Sequence, residues 1–208
     1  MEHHFSIEES LKFGWSKTKA HSSLLFQVML TLFALQVVSS IVTKVLGHSM
    51  QGVAASIVLA VVTLFVGVGF TIITLKIARG EHASYADIMP HLSLVWRYLV
   101  ANLLSGLFVA IGFILLIIPG VYLMLRYAMV RYAILDGAGI TDSLSKSAHM
   151  TDGVKWKLLG FFAVLILINI VGAILLLVGL LVTVPVTMIA YAHVYQKLHA
   201  HHATHHAH

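Results

Sequence analysis

Between Leu158 and Gln196 the chain runs for 39 residues without an Asp, Glu, Lys or Arg. That is about twice the 20 or so residues that carry a helix across a bilayer, so the run reads as two spans with a turn between them, and Gly179 is the natural turning point. In hydrocarbon each backbone polar group must find its partner inside the protein, which leaves the helix as the economical form for such a run.

Apolar runs elsewhere extend the pattern. Ser23 to Val42, Gly52 to Leu75 and Tyr98 to Ile118 reach spanning length, as do the two halves Leu158 to Val178 and Leu180 to Tyr195. A sixth segment, Val121 to Leu135, has only 15 residues and reads either as a full span or as a re-entrant or tilted limb. The chain is 59% hydrophobic and 10% charged, against roughly 25% charged in an average soluble domain. The fold class is therefore an all-α integral membrane protein of six transmembrane helices, with residues 1–198 as a single polytopic domain and 199–208 as a His-rich tail. The opening segment lacks the basic region, short apolar core and small-residue cleavage site of a signal peptide, so the first span is expected to be the mature anchor.

Positive charge in short loops marks the cytoplasmic side. With the N-terminus inside, Lys12, Lys17, Lys19, Lys76, Arg79, Arg97, Lys146, Lys155, Lys157 and Lys197 fall inside and Lys44 alone falls outside. This places the protein in the plasma (inner) membrane with both termini cytoplasmic. The basic residues form no stripe, so the net charge of +5 does not point to nucleic acid.

Three inner segments resemble one another: SIEESLKFGW from Ser6, SYADIMPHLS from Ser84 and GITDSLSKSA from Gly139. Each sets apolar residues four apart around one or two acids (Ile7 and Leu11, Tyr85 and Met89, Ile140 and Leu144), the spacing of one helical face. Trp15, Trp96 and Trp156 follow at the boundaries, as in an interfacial aromatic belt. They read as three short interfacial amphipathic helices on the cytoplasmic side, and the chain as three parallel repeats of one such helix plus a hairpin.

Residues 117 to 198, from IIPGVYLMLRYAMVRYAILDG through ITDSLSKSAHMTDGVKWKLLGFF to PVTMIAYAHVYQKL, resemble the polytopic family described as the glycerophosphoryl diester phosphodiesterase membrane domain and its relatives. The carrying features are Pro119-Gly120 before an Arg-bearing helix, Asp142-Ser143-Leu144 with Ser147, Gly153, Trp156, Tyr195 and Leu198. The resemblance implies a membrane domain with no agreed activity. Some members carry a catalytic barrel, but the clustered acids and histidines of such a barrel have no counterpart here, so no enzymatic activity follows.

The chemistry-bearing candidates are few. Arg126 and Arg131 sit in LRYAMVRYAILDG with no acid in any span, and an ionisable group in hydrocarbon is a functional signal. On one continuous helix a five-residue step turns them about 140 degrees apart, so they face differently. Two readings stay open. In one, Arg126 or Arg131, with Tyr127 and Tyr132, binds a lipid phosphate or another amphipathic anion. In the other, Arg131 snorkels inward and Arg126 rests on backbone carbonyls or on the faces of Tyr122, Tyr127 and Tyr132. Gln27, Gln36, Asn102 and Asn169 read as interhelical hydrogen-bonding groups or as a polar conduit, and Pro185 as a kink. In the tail, His202 and His206 are weak metal candidates at helical spacing. There is no Cys and no catalytic pair, so no cofactor is expected. The function expected is non-enzymatic binding, movement or organisation of lipid or another amphipathic anion. A membrane scaffold or homo-oligomeric anchor for partner proteins is the alternative, and an intramembrane enzyme the remotest reading.

Overall fold

The computed structural model describes residues 5–47, 49–175 and 179–205. Among these the chain is all-helical, without strands. In order come α1 (Ile7–Ala20), α2 (Ser22–Leu46), α3 (Met50–Arg79), a 3-10 turn (Tyr85–Ile88), α4 (Leu92–Leu115), α5 (Ile117–Arg126), α6 (Val130–Leu135), α7 (Ile140–Met150), α8 (Lys155–Ile174) and α9 (Leu180–His205). Five segments are long and apolar enough to cross a membrane: α2, α3, α4, α8 and the run Ile117–Leu135 that α5 and α6 share. The architecture is that of a multi-pass membrane protein. The expected sixth span, in α9, is not among the five, because Pro185, His193, Gln196 and Lys197 dilute its apolar stretch.

Local chemistry sets the helix ends. Ser6 caps α1 by accepting from the Glu9 amide at 3.4 Å, with Glu8 and Glu9 in the first turn and Lys17 and Lys19 in the last, each sign where the helix dipole favours it. α3 ends at Gly80, whose φ of 73° lets the Glu81 amide reach back to the Lys76 carbonyl at 2.9 Å. Its 30 residues span about 45 Å. The buried side chains of α3 lie almost wholly from Val66 onward and those of α2 are Leu25, Val28 and Met29, so beyond that level the α2–α3 hairpin packs chiefly on itself.

α9 is the central element. Ile189, Ala190, Ala192, Val194 and Tyr195 are fully buried on it against Ile73 and Ile77 of α3 and Leu158 and Phe161 of α8. α1 runs antiparallel along α9 instead of resting as a short helix at one end. Glu9 pairs with Lys197 at 3.2 Å, Phe13 stacks on His193 at 4.0 Å, and Thr18 and Ser22 share a cavity wall with Leu181 and Val182. The buried stripe of α1 is Ser10, Gly14 and Thr18, small residues one turn apart. A Cβ on Gly14 would stand 2.5 Å from the Val186 carbonyl oxygen, so only glycine permits this approach. Ile7 and Leu11, the apolar pair read from the sequence, flank that stripe as partly buried residues.

The second inner segment also departs from expectation. Instead of an amphipathic helix it forms the four-residue 3-10 turn, because Met89 precedes Pro90, which disfavours the helical backbone there, and takes φ −114° and ψ 82°. Ile88 is the residue buried, while Tyr85 and Met89 are exposed. Asp87 holds the turn by accepting from the Ser84 amide at 2.9 Å and pairing with Lys76 at 2.7 Å, and Tyr85 hydrogen-bonds Thr31 at 2.8 Å. The third segment forms α7 as an 11-residue helix.

The turn seats its backbone directly on α3: a Cβ on Gly69 would lie 2.2 Å from the Ile88 carbonyl oxygen, whereas one on Gly67 would meet nothing within 4 Å. Gly69→Ala is expected to destabilise the protein by about 1–3 kcal/mol and Gly67→Ala to change it by less than about 0.5 kcal/mol, as read from melting curves in mild detergent. Burial pushes the Asp87 carboxyl up, but the Lys76 ammonium and the Ser84 amide outweigh it and hold the group below its ordinary value of 3.8. Its stabilising effect is therefore present above that value and disappears as the pH falls through the lower folded one. Melting temperatures measured from pH 7 down to pH 3 should show Asp87→Asn less stable at neutral pH and its deficit shrinking below about pH 4.

Candidate functional site

The repeated Arg-Tyr-Ala unit does not lie on one helix. α5 stops at Arg126, residues 127–129 form a turn, and α6 starts at Val130. A break in an apolar setting frees backbone groups that water cannot satisfy. Two neighbouring helices supply the partners. The Ser147 hydroxyl, on α7, donates to the Arg126 carbonyl at 2.8 Å and accepts from the Met129 amide at 3.0 Å. Thr151 Oγ1 lies 3.3 Å from the same Arg126 carbonyl, and the Tyr191 hydroxyl, on α9, donates to the Ala128 carbonyl.

None of these roles was assigned from sequence, although a signal existed. Ser143, Ser147 and Thr151 recur every fourth residue and are all completely buried, a hydroxyl stripe on the inward face of α7. The other end of α6 is also tied down: Asp136 accepts from Arg79 of α3 and from the Tyr195 hydroxyl of α9.

On either side of the break, the two arginines part company. Arg131 lines a cavity of about 490 Å³ bounded by α4, the α5–α6 segment, α8 and α9. Its guanidinium carbon lies 5.7 Å from the Tyr191 ring centroid, and among the described residues no carboxylate stands within ion-pair distance of it. Polar groups on the wall are neutral: Asn102, Ser105, Tyr127, Asn169 and Thr187. Met124, Phe162, Leu165 and Met188 make the rest apolar. α4 and α8 are not packed face to face, so the cavity lies in the gap between them.

The polar wall is mostly committed to the protein. Asn102 donates to the Tyr98 carbonyl at 2.7 Å, and Asn169 donates to Thr187 at 3.1 Å and to the Leu165 carbonyl at 2.9 Å. The Asn169 side-chain oxygen is buried without a partner. Among the described residues Arg131 is thus the one formal charge on the lining, in a medium where a charge acts at longer range than in water.

Of the candidates named from sequence, Arg131 and Tyr127 meet at this cavity. Arg126 lies outside it, donating to the Tyr122 hydroxyl at 3.3 Å. Tyr132 is completely buried in packing, stacked on Tyr195 at 5.3 Å and edge-on to Tyr191 at 5.0 Å, with its hydroxyl donating to the Met188 carbonyl at 3.4 Å. Asn102 and Asn169, read from sequence as interhelical hydrogen-bonding groups or a polar conduit, both line the cavity, from α4 and α8. In the tail, the His202 ring stacks on that of His149 at 6.1 Å, and His206 lies outside the described residues. Among the described residues no three His, Cys, Asp or Glu side chains gather closely enough to hold a metal ion.

In comparisons with known proteins, no family model, curated protein or solved structure matches the chain.

The double role of Ser147 makes a sharp test. Ser147→Ala leaves the buried Met129 amide without a partner and is expected to cost about 1–3 kcal/mol, while Ser143→Ala, which loses only a bond to Ile140 one turn back, costs about 1 kcal/mol or less. Thermal unfolding of the two variants in the same detergent gives the comparison.

Proposed function

We propose that this is a non-enzymatic membrane protein whose Arg131 cavity binds the anionic group of a lipid or another amphiphile, and that it moves or organises that molecule within the bilayer. The observation that carries this is the lone guanidinium of Arg131 on an otherwise neutral and largely apolar wall. A half-buried charge in apolar surroundings calls for a counter-charge, and among the described residues the lining offers only neutral groups, with the Tyr191 ring face beside the guanidinium. Asp136, five residues on, is already held by Arg79 and Tyr195. An anion from outside fits that vacancy in charge, and the apolar wall fits the tail attached to it. A broken helix beside an apolar cavity is also how membrane proteins commonly frame a ligand site.

The membrane is proposed to be the plasma membrane, with both termini cytoplasmic, on the strength of the one-sided Lys and Arg distribution. On that reading α9, paired antiparallel with α8, is the sixth span, and the three groups of one short element followed by two long ones are parallel repeats. Kinship with the phosphodiesterase membrane-domain family is proposed on the residues between 117 and 198 that carry the resemblance.

The test is a titration of purified protein with an anionic and a zwitterionic lysolipid, read by native mass spectrometry. Arg131→Gln keeps hydrogen-bonding capacity but removes the charge, and should weaken the anionic ligand about 10- to 100-fold, the equivalent of one charge-assisted hydrogen bond. Arg126→Gln should change it less than about twofold, since Arg126 stands outside the cavity. Equal losses in the two variants, or none in Arg131→Gln, would reject the proposal.

A further inference from the structure

A second concave surface lies where α5 passes α8, outside the Arg131 cavity. It encloses about 430 Å³ over a floor of Ile117, Ile118, Val121 and Leu159. Ile117 and Ile118 are 74% and 82% exposed, so the protein leaves this floor to be covered from outside. The groove ends in charge. Lys155 sits on its lining with the ammonium 5.0 Å from the Tyr122 ring centroid and bonded to Asp152, and the Tyr122 hydroxyl accepts from Arg126 at 3.3 Å. Trp156, also on the lining, is 85% exposed, as an indole at a headgroup boundary would be.

The signs of these charges select among headgroups. Lys155 is spoken for by Asp152. Arg126 uses one of its nitrogens on Tyr122, and a guanidinium carries five N–H donors. Asp152 is 67% exposed and bonded to Lys155 through Oδ1, which leaves Oδ2 to the surroundings. Lys155, with smaller contributions from Arg126 and His149, holds the Asp152 carboxyl below the usual carboxylate range, so it carries its charge at neutral pH. Because Lys155 and Asp152 neutralise each other, a purely anionic headgroup gains from Arg126 alone. A headgroup that carries a primary ammonium as well as a phosphate gains in addition from Oδ2 of Asp152.

We infer that the α5–α8 groove holds one molecule of phosphatidylethanolamine, with an acyl chain along Ile117, Ile118 and Leu159, the phosphate on Arg126 and the ammonium on Asp152. This site is separate from the Arg131 cavity and stands or falls independently of the function proposed for it. The bound lipid fills the seam between α5 and α8, next to the loop that leads from Thr151 into α8.

The test uses Trp156 as the reporter. Trp15→Phe and Trp96→Phe replace two exposed residues and leave Trp156 as the only tryptophan. The protein is placed in nanodiscs of phosphatidylcholine containing a small fraction of either phosphatidylethanolamine or phosphatidylglycerol with a bromine-labelled chain. Quenching by the ethanolamine lipid should correspond to an occupancy about two- to fivefold that of the glycerol lipid, the range an interfacial ion pair supports, and Asp152→Asn should erase the difference. Equal quenching by the two lipids, an excess for the glycerol lipid, or an ethanolamine preference that survives Asp152→Asn would each overturn the inference. If Arg131→Gln removes the preference, the lipid sits in the other cavity; the inference then fails while the proposed function stands.

Discussion

An unpaired backbone group in an apolar interior costs as much as a lost hydrogen bond, and the interruption at residues 127–129 would impose that cost several times over. Ser147, Thr151 and Tyr191 remove it, and in doing so they lock α7 and α9 to the α5–α6 segment. The position of α6 follows from that clasp. From there Arg131 faces the gap between α4 and α8, and Asp136 reaches Arg79 and Tyr195.

Around this clasp the bundle is organised by close approach more than by large interlocking side chains. Gly14 admits α1 to the backbone of α9, Gly69 admits the 3-10 turn to α3, and a Cβ on Gly172 would collide with Thr183 at 2.3 Å where α8 meets α9. Lipid chains are as apolar as leucine, so helices in a membrane gain from tight backbone contact and from hydrogen bonds rather than from escaping water. The charged residues play another part. The pairs Lys76 with Asp87, Arg79 with Asp136 and Lys197 with Glu9 join separate elements, and among the described residues Arg131 has no such carboxylate partner.

Much of the helical plan could be read from the chain. α2, α3, α4 and α8 fall where apolar runs of spanning length predict them, while the 15-residue limb, read as a full span or a re-entrant or tilted one, belongs to a run of spanning length that is broken at residues 127–129. The pattern of polar positions within helices was harder to read. In α1 the apolar pair Ile7 and Leu11 drew attention, but the contact with α9 is made by Ser10, Gly14 and Thr18, whose smallness counts rather than their polarity. In and just after α7, the hydroxyls of Ser147 and Thr151 carry no signal of their partners in the local sequence, because these, Arg126 and Met129, lie about twenty residues upstream. Hydropathy measures each residue against a solvent, and these residues act on particular backbone atoms of another helix.

The sequence by itself determined that this chain is a bundle of apolar helices with its charges kept to their ends, that Arg126 and Arg131 are costly residues calling for an explanation, and that the central limb is too short to be routine. These follow from length, composition and spacing, which are properties of the chain alone. Only the tertiary structure decided that the limb is broken, that Arg131 with Tyr127 lines a cavity while Arg126 stands outside it on the Tyr122 hydroxyl, and that Tyr132 serves packing. The reason is that a broken helix is stable only where another segment offers donors and acceptors at the right height, and that matching of Ser147, Thr151 and Tyr191 to residues 126–129 exists only once the helices have packed.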